Sequence, residues 1–328
     1  MKKSLVALAA LAVAGVASAQ SSVTLSGTLD AGLEKISGGA LQLQNSRNGT
    51  TQITVSGVED LGGGLKARFQ ISSSFDSTFD NGQIQGNRAG TTTAGTQAQY
   101  SPSKFGNNGM FLALDGGFGS LILGRPLNTL YSHSYTANGT KGVTGFAATN
   151  TIDAQSIYTS NAIQYVTPNL AGFTAQFEYA PSEATDVKST TSIGLKYASG
   201  PFGVSLVRDN AKGTVVGGDY SAKTTQLAGF WDFGVAKLSA TYQDSSTLPS
   251  DSDQAYVFGL NVPVGPGQFW IQYGNRELAG TDARIVGLGY KYSLSKRTTA
   301  YVNLGSRNDA AAGTAGNSGW GLGLQHNF

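Results

Sequence analysis

Cysteine is absent from this 328-residue chain, so neither disulfides nor thiolate metal centres can hold it together. Proline is scarce, with 8 residues, as suits strands whose backbone N–H groups are needed for ladders. Charged side chains make up only 13%, against about 25% in ordinary soluble domains. There are 2 histidines, His133 and His326, and no repeated spacing of histidines and acids suggests a metal or other cofactor. After residue 19 no stretch approaches the ~20 consecutive apolar residues of a membrane-spanning helix. Gly62-Gly63-Gly64 is followed by neither the Lys-Ser/Thr pair nor the helix of a phosphate-binding loop. What the chain has in quantity is glycine, 45 residues, about twice the usual share.

The N-terminus combines Lys2 and Lys3 with an apolar run from Leu5 to Val16 and the small residues Ala17-Ser18-Ala19. This pattern predicts a cleaved export signal over residues 1–19, because the run is too short to span ~30 Å of hydrocarbon. Residues 20–328 then form one domain, with no composition shift to mark a second. Without Lys2 and Lys3 the basic count falls from 22 to 20, equal to the 20 acids. A neutral mature chain predicts no nucleic-acid partner.

From Val23 onward the pattern has a period of two. Leu25, Leu29, Ala31 and Leu33 alternate with Ser26, Thr28, Asp30 and Glu34; Ala236, Leu238, Ala240 and Tyr242 alternate with Lys237, Ser239, Thr241 and Gln243. Such segments of about ten residues are the length of tilted strands crossing a bilayer, apolar toward lipid and polar toward a wet lumen. They predict about sixteen strands, near 23–37, 50–59, 64–76, 108–115, 118–125, 161–167, 172–179, 191–198, 201–208, 223–232, 234–243, 254–262, 267–275, 283–292, 297–306 and 319–328. Short Gly- or Pro-rich turns alternate with long polar loops, notably 77–98, 126–156, 209–222 and 307–318. That is the asymmetry of periplasmic turns and external loops. The last residues alternate Leu322, Leu324, His326 and Phe328 with smaller or polar ones, a closing strand where chain ends normally fray. The fold class is therefore all-β: a transmembrane, antiparallel, up-and-down β-barrel.

These residues resemble the porins of Gram-negative bacteria, in the branch typical of β-proteobacteria. The resemblance rests on Ser21 to Leu25 with Asp30-Ala31-Gly32-Leu33-Glu34, on Glu59 to Ala67, and on Leu123-Gly124-Arg125. Asp232 to Leu238, Leu294 to Thr298 and the ending Gly323 to Phe328 extend it over the mature chain. It implies a homotrimer of sixteen-stranded barrels that passes small hydrophilic solutes and ions through the outer membrane. It also implies a third loop, roughly 126–160, folded into the pore. As partners it implies outer-membrane lipid and lipopolysaccharide, and the barrel assembly machinery, for which Phe328, His326, Leu324 and Leu322 form the assembly signal.

The family commonly places arginines where Gln52 and Asn108 stand here and near Ile157 or Tyr158; only Arg125 matches. At most weak anion selectivity is therefore expected, with Arg68, on the lumen-facing parity of the third strand, in partial compensation and Lys66 a further pore-lining candidate. Asp153, His133 and Lys141 are further pore-lining candidates in the third loop. Ser132, His133 and Ser134 suggest a hydrolase, but neighbours in a loop do not orient a nucleophile toward its base. Asp251, Asp253 and Asp282 read as solvated loop carboxylates, with a weak external Ca²⁺ site as the alternative. A barrel that merely anchors an adhesin or receptor is the alternative function.

Overall fold

The computed structural model describes residues 22–75, 105–137, 157–182, 187–215, 218–247, 251–278, 281–309 and 314–328. The expected signal segment lies outside these residues. The strands are β1 (Ser22–Ile36), β2 (Leu41–Asn45), β3 (Gln52–Gly62), β4 (Leu65–Ser74), β5 (Met110–Gly116), β6 (Gly119–Arg125), β7 (Ala162–Val166), β8 (Phe173–Ala180) and β9 (Val187–Ser199). They continue as β10 (Phe202–Val215), β11 (Gly218–Asp232), β12 (Lys237–Thr247), β13 (Asp251–Val264), β14 (Gly267–Leu278), β15 (Thr281–Ser293), β16 (Thr298–Asp309) and β17 (Thr314–Asn327). Among the described residues one helix, α1 (Thr129–Ala137), follows β6.

From β3 onward each strand pairs antiparallel with the next in sequence, and β17 returns to pair with β1 from Thr28↔Asn327 to Ile36↔Gly319. The sheet is closed through the β1–β17 pairing, the form in which strands can cross a bilayer. Both β2 and β3 pair with β1, end to end, and count as one interrupted strand. The ring thus has the sixteen strands expected.

Burial is inverted relative to a soluble protein. Val23 is 70% exposed and Leu25 62%, while Gln164 and Gln272 are 2% and 1% exposed. Apolar residues coat the outside and polar ones line the inside, which is stable only if the outside faces hydrocarbon. A chain of rings, Phe173, Tyr197, Phe202, Trp231 and Phe233, runs around the short-turn end of β8–β11 at centroid spacings of 4.6, 6.4, 5.7 and 6.0 Å. Such a belt suits the lipid–water interface.

Two expectations change. Much of 209–222 and of 307–318 is strand, with β10 and β11 paired out to Val215↔Gly218 and β16 and β17 out to Asp309↔Thr314. Beyond the bilayer both faces meet water, so the hydrophobic alternation fades while the ladder continues. The sequence also missed β2 and the break after it, because Gln42, Gln44 and Asn45 are too polar to read as strand.

Candidate constriction of the lumen

At the end of β6, Gly124 adopts φ 129°, a conformation that L side chains rarely take. The alternation breaks there, and the chain turns inward. The two ends of the third loop are zipped together: Asn128 N–H donates to Ile157 O at 2.9 Å, and Thr159 N–H to Pro126 O at 3.2 Å. Asn128 caps α1, its Oδ1 accepting from Leu130 N–H at 2.7 Å, which satisfies a donor that the helix leaves open.

The carboxylate of Glu178 on β8 receives the helix N-terminus. It accepts from Thr129 N–H and Oγ1, both at 3.0 Å, from Thr159 Oγ1 at 2.5 Å, and from Gln164 Nε2. A negative group there complements the helix dipole. The helix packs against the inner faces of β8–β12.

His133 is buried at 5% exposure rather than lining the pore. Its ring fills the space above Gly194, where a Cβ would lie 2.6 Å from the imidazole. Nδ1 faces the Thr129 carbonyl at 2.9 Å. A carbonyl only accepts, so Nδ1 carries the proton and cannot act as base toward Ser132 Oγ, 3.3 Å away. The Ser–His pair is therefore a packing feature, and the hydrolase reading fails on geometry.

Gln52, Asn108 and Tyr158, the positions at which the resemblance implied arginines, converge. Tyr158 Oη donates to Asn108 Oδ1 at 2.7 Å, and Asn108 Nδ2 donates to Gln52 and, at 3.4 Å, to Ser72 Oγ. This neutral chain spans the inner wall of β3, β4 and the turn before β5. Arg125 borders it, with its guanidinium 5.2 Å from the Tyr158 ring centroid, its Nη1 donating to Ser160 Oγ at 2.6 Å and its Nε to Asn107 O at 3.3 Å. It therefore ties the start of the third loop to its end.

Arg68 lies on the inner face as expected, but it does not supply free positive charge. It is ion-paired with Asp115 at 2.9 Å and stacks on Phe111 at 5.3 Å. Lys66 stands opposite Asp115 in register. Lys141 and Asp153 lie outside the described residues. Asp253 and Asp282 are not free loop carboxylates: Asp253 accepts from Arg276 Nε at 2.7 Å, and Asp282 pairs with Arg284 at 3.0 Å. Among the described residues no cluster of three or more His, Asp or Glu could hold a metal ion.

Sequence reasoning missed a second polar cluster on the adjoining wall, where β1 pairs with β3. Asp30, fully buried, accepts from Asn48 N–H at 2.7 Å, Gly49 N–H at 2.8 Å and Tyr301 Oη at 2.7 Å. Beside it Arg47 pairs with Glu34 at 2.7 Å. The available signal was two acids, Asp30 and Glu34, on one inward face beside the turn-rich run Ser46-Arg47-Asn48-Gly49.

Comparison with known proteins agrees with this architecture. The Gram-negative porin model matches residues 4–312. Outer membrane porin protein 32 of Delftia acidovorans is 33% identical, covering 96% of this chain and 92% of its own. An outer membrane porin protein of Bordetella pertussis is 29% identical over 100% of both. Among solved structures, the anion-selective porin from Comamonas acidovorans superposes with a TM-score of 0.72 at 27% identity, covering 94% of this chain and all of that one. Channels of this kind are not enzymes. Matched along most of its length, and built as a closed barrel, the chain is an outer-membrane protein that belongs to the Gram-negative porin family.

Proposed function

We propose that the chain forms a water-filled channel for passive diffusion of small hydrophilic solutes and ions, with at most a weak preference for anions. The observation that carries this reading is the neutral Gln52–Asn108–Tyr158 chain, bordered by Arg125, at positions where the family commonly has arginines. With Arg68 matched by Asp115, the positive potential on this wall is modest. A wet pore at physiological salt screens it within about 8–10 Å. The preference named for the Comamonas porin therefore carries over only in weakened form.

The same reading makes the protein a homotrimer. The outer face of β1–β3 is aliphatic, with Val23, Leu25, Leu29, Leu33, Leu41 and Leu43 exposed, and the aromatic belt lies on the other side of the ring. That division suits subunit contact on one side and lipid, including lipopolysaccharide, on the other. Residues 1–19 serve as a cleaved export signal, and the C-terminal strand is read by the barrel assembly machinery.

Planar-bilayer recording tests the proposal. Conductance should appear in groups of three equal steps, with a small zero-current potential on the anion side that collapses at high salt. Arg125→Gln should move that potential toward cations while leaving the heat-modifiable trimer intact. Absence of conductance would favour a barrel that only anchors surface loops.

A further inference from the structure

The break between β2 and β3 is larger than an ordinary β-bulge, in which one extra residue interrupts a ladder. The register runs Thr28↔Gln52 on one side of it and Ala31↔Asn45 on the other. Six residues, Ser46–Thr51, therefore stand opposite only Leu29 and Asp30. The surplus folds toward the lumen, because its partners are all inward-facing side chains. Asp30 binds the Asn48 and Gly49 N–H groups, Asn48 Nδ2 donates to Gln325 Oε1 at 2.5 Å, and Asn303 Nδ2 reaches Arg47 O at 3.4 Å. The Arg47–Glu34 pair clamps its first turn, with Arg47 also donating to Gln44 Oε1 at 2.9 Å. Ser46 is held at φ 59°, in the left-handed region that non-glycine residues seldom occupy.

The position of this fold in the ring gives it meaning. With β2 and β3 counted as one strand, β1 and β10 stand eight places apart in a ring of sixteen, diametrically opposed. Helix α1 packs mainly on β9, β10 and β11, and the inward fold packs on β1, β16 and β17. Both lie near the middle of their strands: His133 rests on Gly194 within Val187–Ser199, and the fold rests on Asp30 within Ser22–Ile36. A pore narrowed by the third loop alone would need neither the lost ladder bonds nor a buried ion pair, whose desolvation is costly.

We propose that Ser46–Thr51 is a second constriction element, narrowing the lumen from the wall opposite α1, with Asp30 as its positioning residue. The inference rests on the channel reading above. Deleting Arg47–Thr50 restores a regular register, with Thr51 opposite Leu29 and Ser46 opposite Asp30. That variant should form heat-modifiable trimers with a larger single-channel conductance. It should also shift the zero-current potential toward cations, because Asp30 and Glu34 then face the lumen without Arg47. Wild-type conductance and potential in a trimeric deletion variant would overturn the proposal. Should the deletion fail to assemble, Thr50→Cys carries the test, since the chain has no other thiol. A charged methanethiosulfonate should then reduce the current through that variant and leave the wild type unaffected; a current through the labelled variant equal to the unlabelled one would overturn it. A wild-type protein without conductance would instead fail the channel reading itself.

Discussion

Burial of the His133 imidazole beneath α1 pulls its pKa below the ordinary histidine value near 6.5, because the charged ring loses its hydration there. The hydrogen bond to the Thr129 carbonyl pulls the other way, and Lys196 adds repulsion. A lowered value means that the packed loop binds fewer protons than a loosened one just below that pH. Packing of α1 is therefore complete above about pH 6.5 and weakens as the pH falls toward the lowered value. Open-channel current noise should rise on acidification from pH 7 toward 5, and His133→Gln should abolish the dependence. A variant as pH-sensitive as the wild type would assign the effect elsewhere. Residue identity alone could not foresee this burial, since nothing in Ser132-His133-Ser134 announces Gly194, far along the chain. Gln52 and Asn108 were legible only as family positions. That Arg68 is matched by Asp115 depends on register, which the sequence does not state.

At the scale of elements, alternation was a good guide wherever one face meets lipid. On β12, Leu238 is 49% exposed while Lys237 sits with its ammonium 3.9 Å from the inward-facing Phe230 ring. Arg or Lys on a lipid face costs about 2–4 kcal/mol at the bilayer midplane and less near the interfaces. Leu238→Arg should therefore depress the yield of folded barrel in lipid vesicles far more than Lys237→Leu, which removes only a partly hydrated charge. Equal yields would reverse the assigned parity. The same logic explains where strand boundaries were misjudged. In the outer parts of β10 and β11 the polar residues Asn210 and Lys212 face outward as Arg208 does, so the code that marks a wall is missing although the ladder persists. Between β2 and β3 the inward polar run looks like any loop, because a chain folded onto a wet lumen has the composition of one folded into water.

For the molecule as a whole, Phe328 adds the last two bonds to a seam that the β1–β17 ladder already closes. Gly27 N–H donates to Phe328 O at 2.9 Å and Phe328 N–H to Gly27 O at 3.0 Å, so the chain end completes the β1–β17 seam. The Phe328 ring lies over Gly27, 2.4 Å from where a Cβ would be, and remains 47% exposed on the outer face. Deleting Phe328 removes two ladder bonds, worth about 0.5–1.5 kcal/mol each, leaves the terminal carboxylate on Asn327, and uncovers Gly27 on the outer face. Against a wall sealed by the rest of the β1–β17 ladder, from Thr28↔Asn327 onward, that loss is too small to unfold a finished barrel. An exposed terminal aromatic is, however, well placed to be read by an assembly factor before the seam closes. The deletion should leave export to the periplasm and refolding in detergent close to normal while sharply reducing heat-modifiable trimer in the outer membrane of cells. Equal loss in detergent would make Phe328 a closure residue only, and wild-type trimer in cells would remove it from assembly altogether.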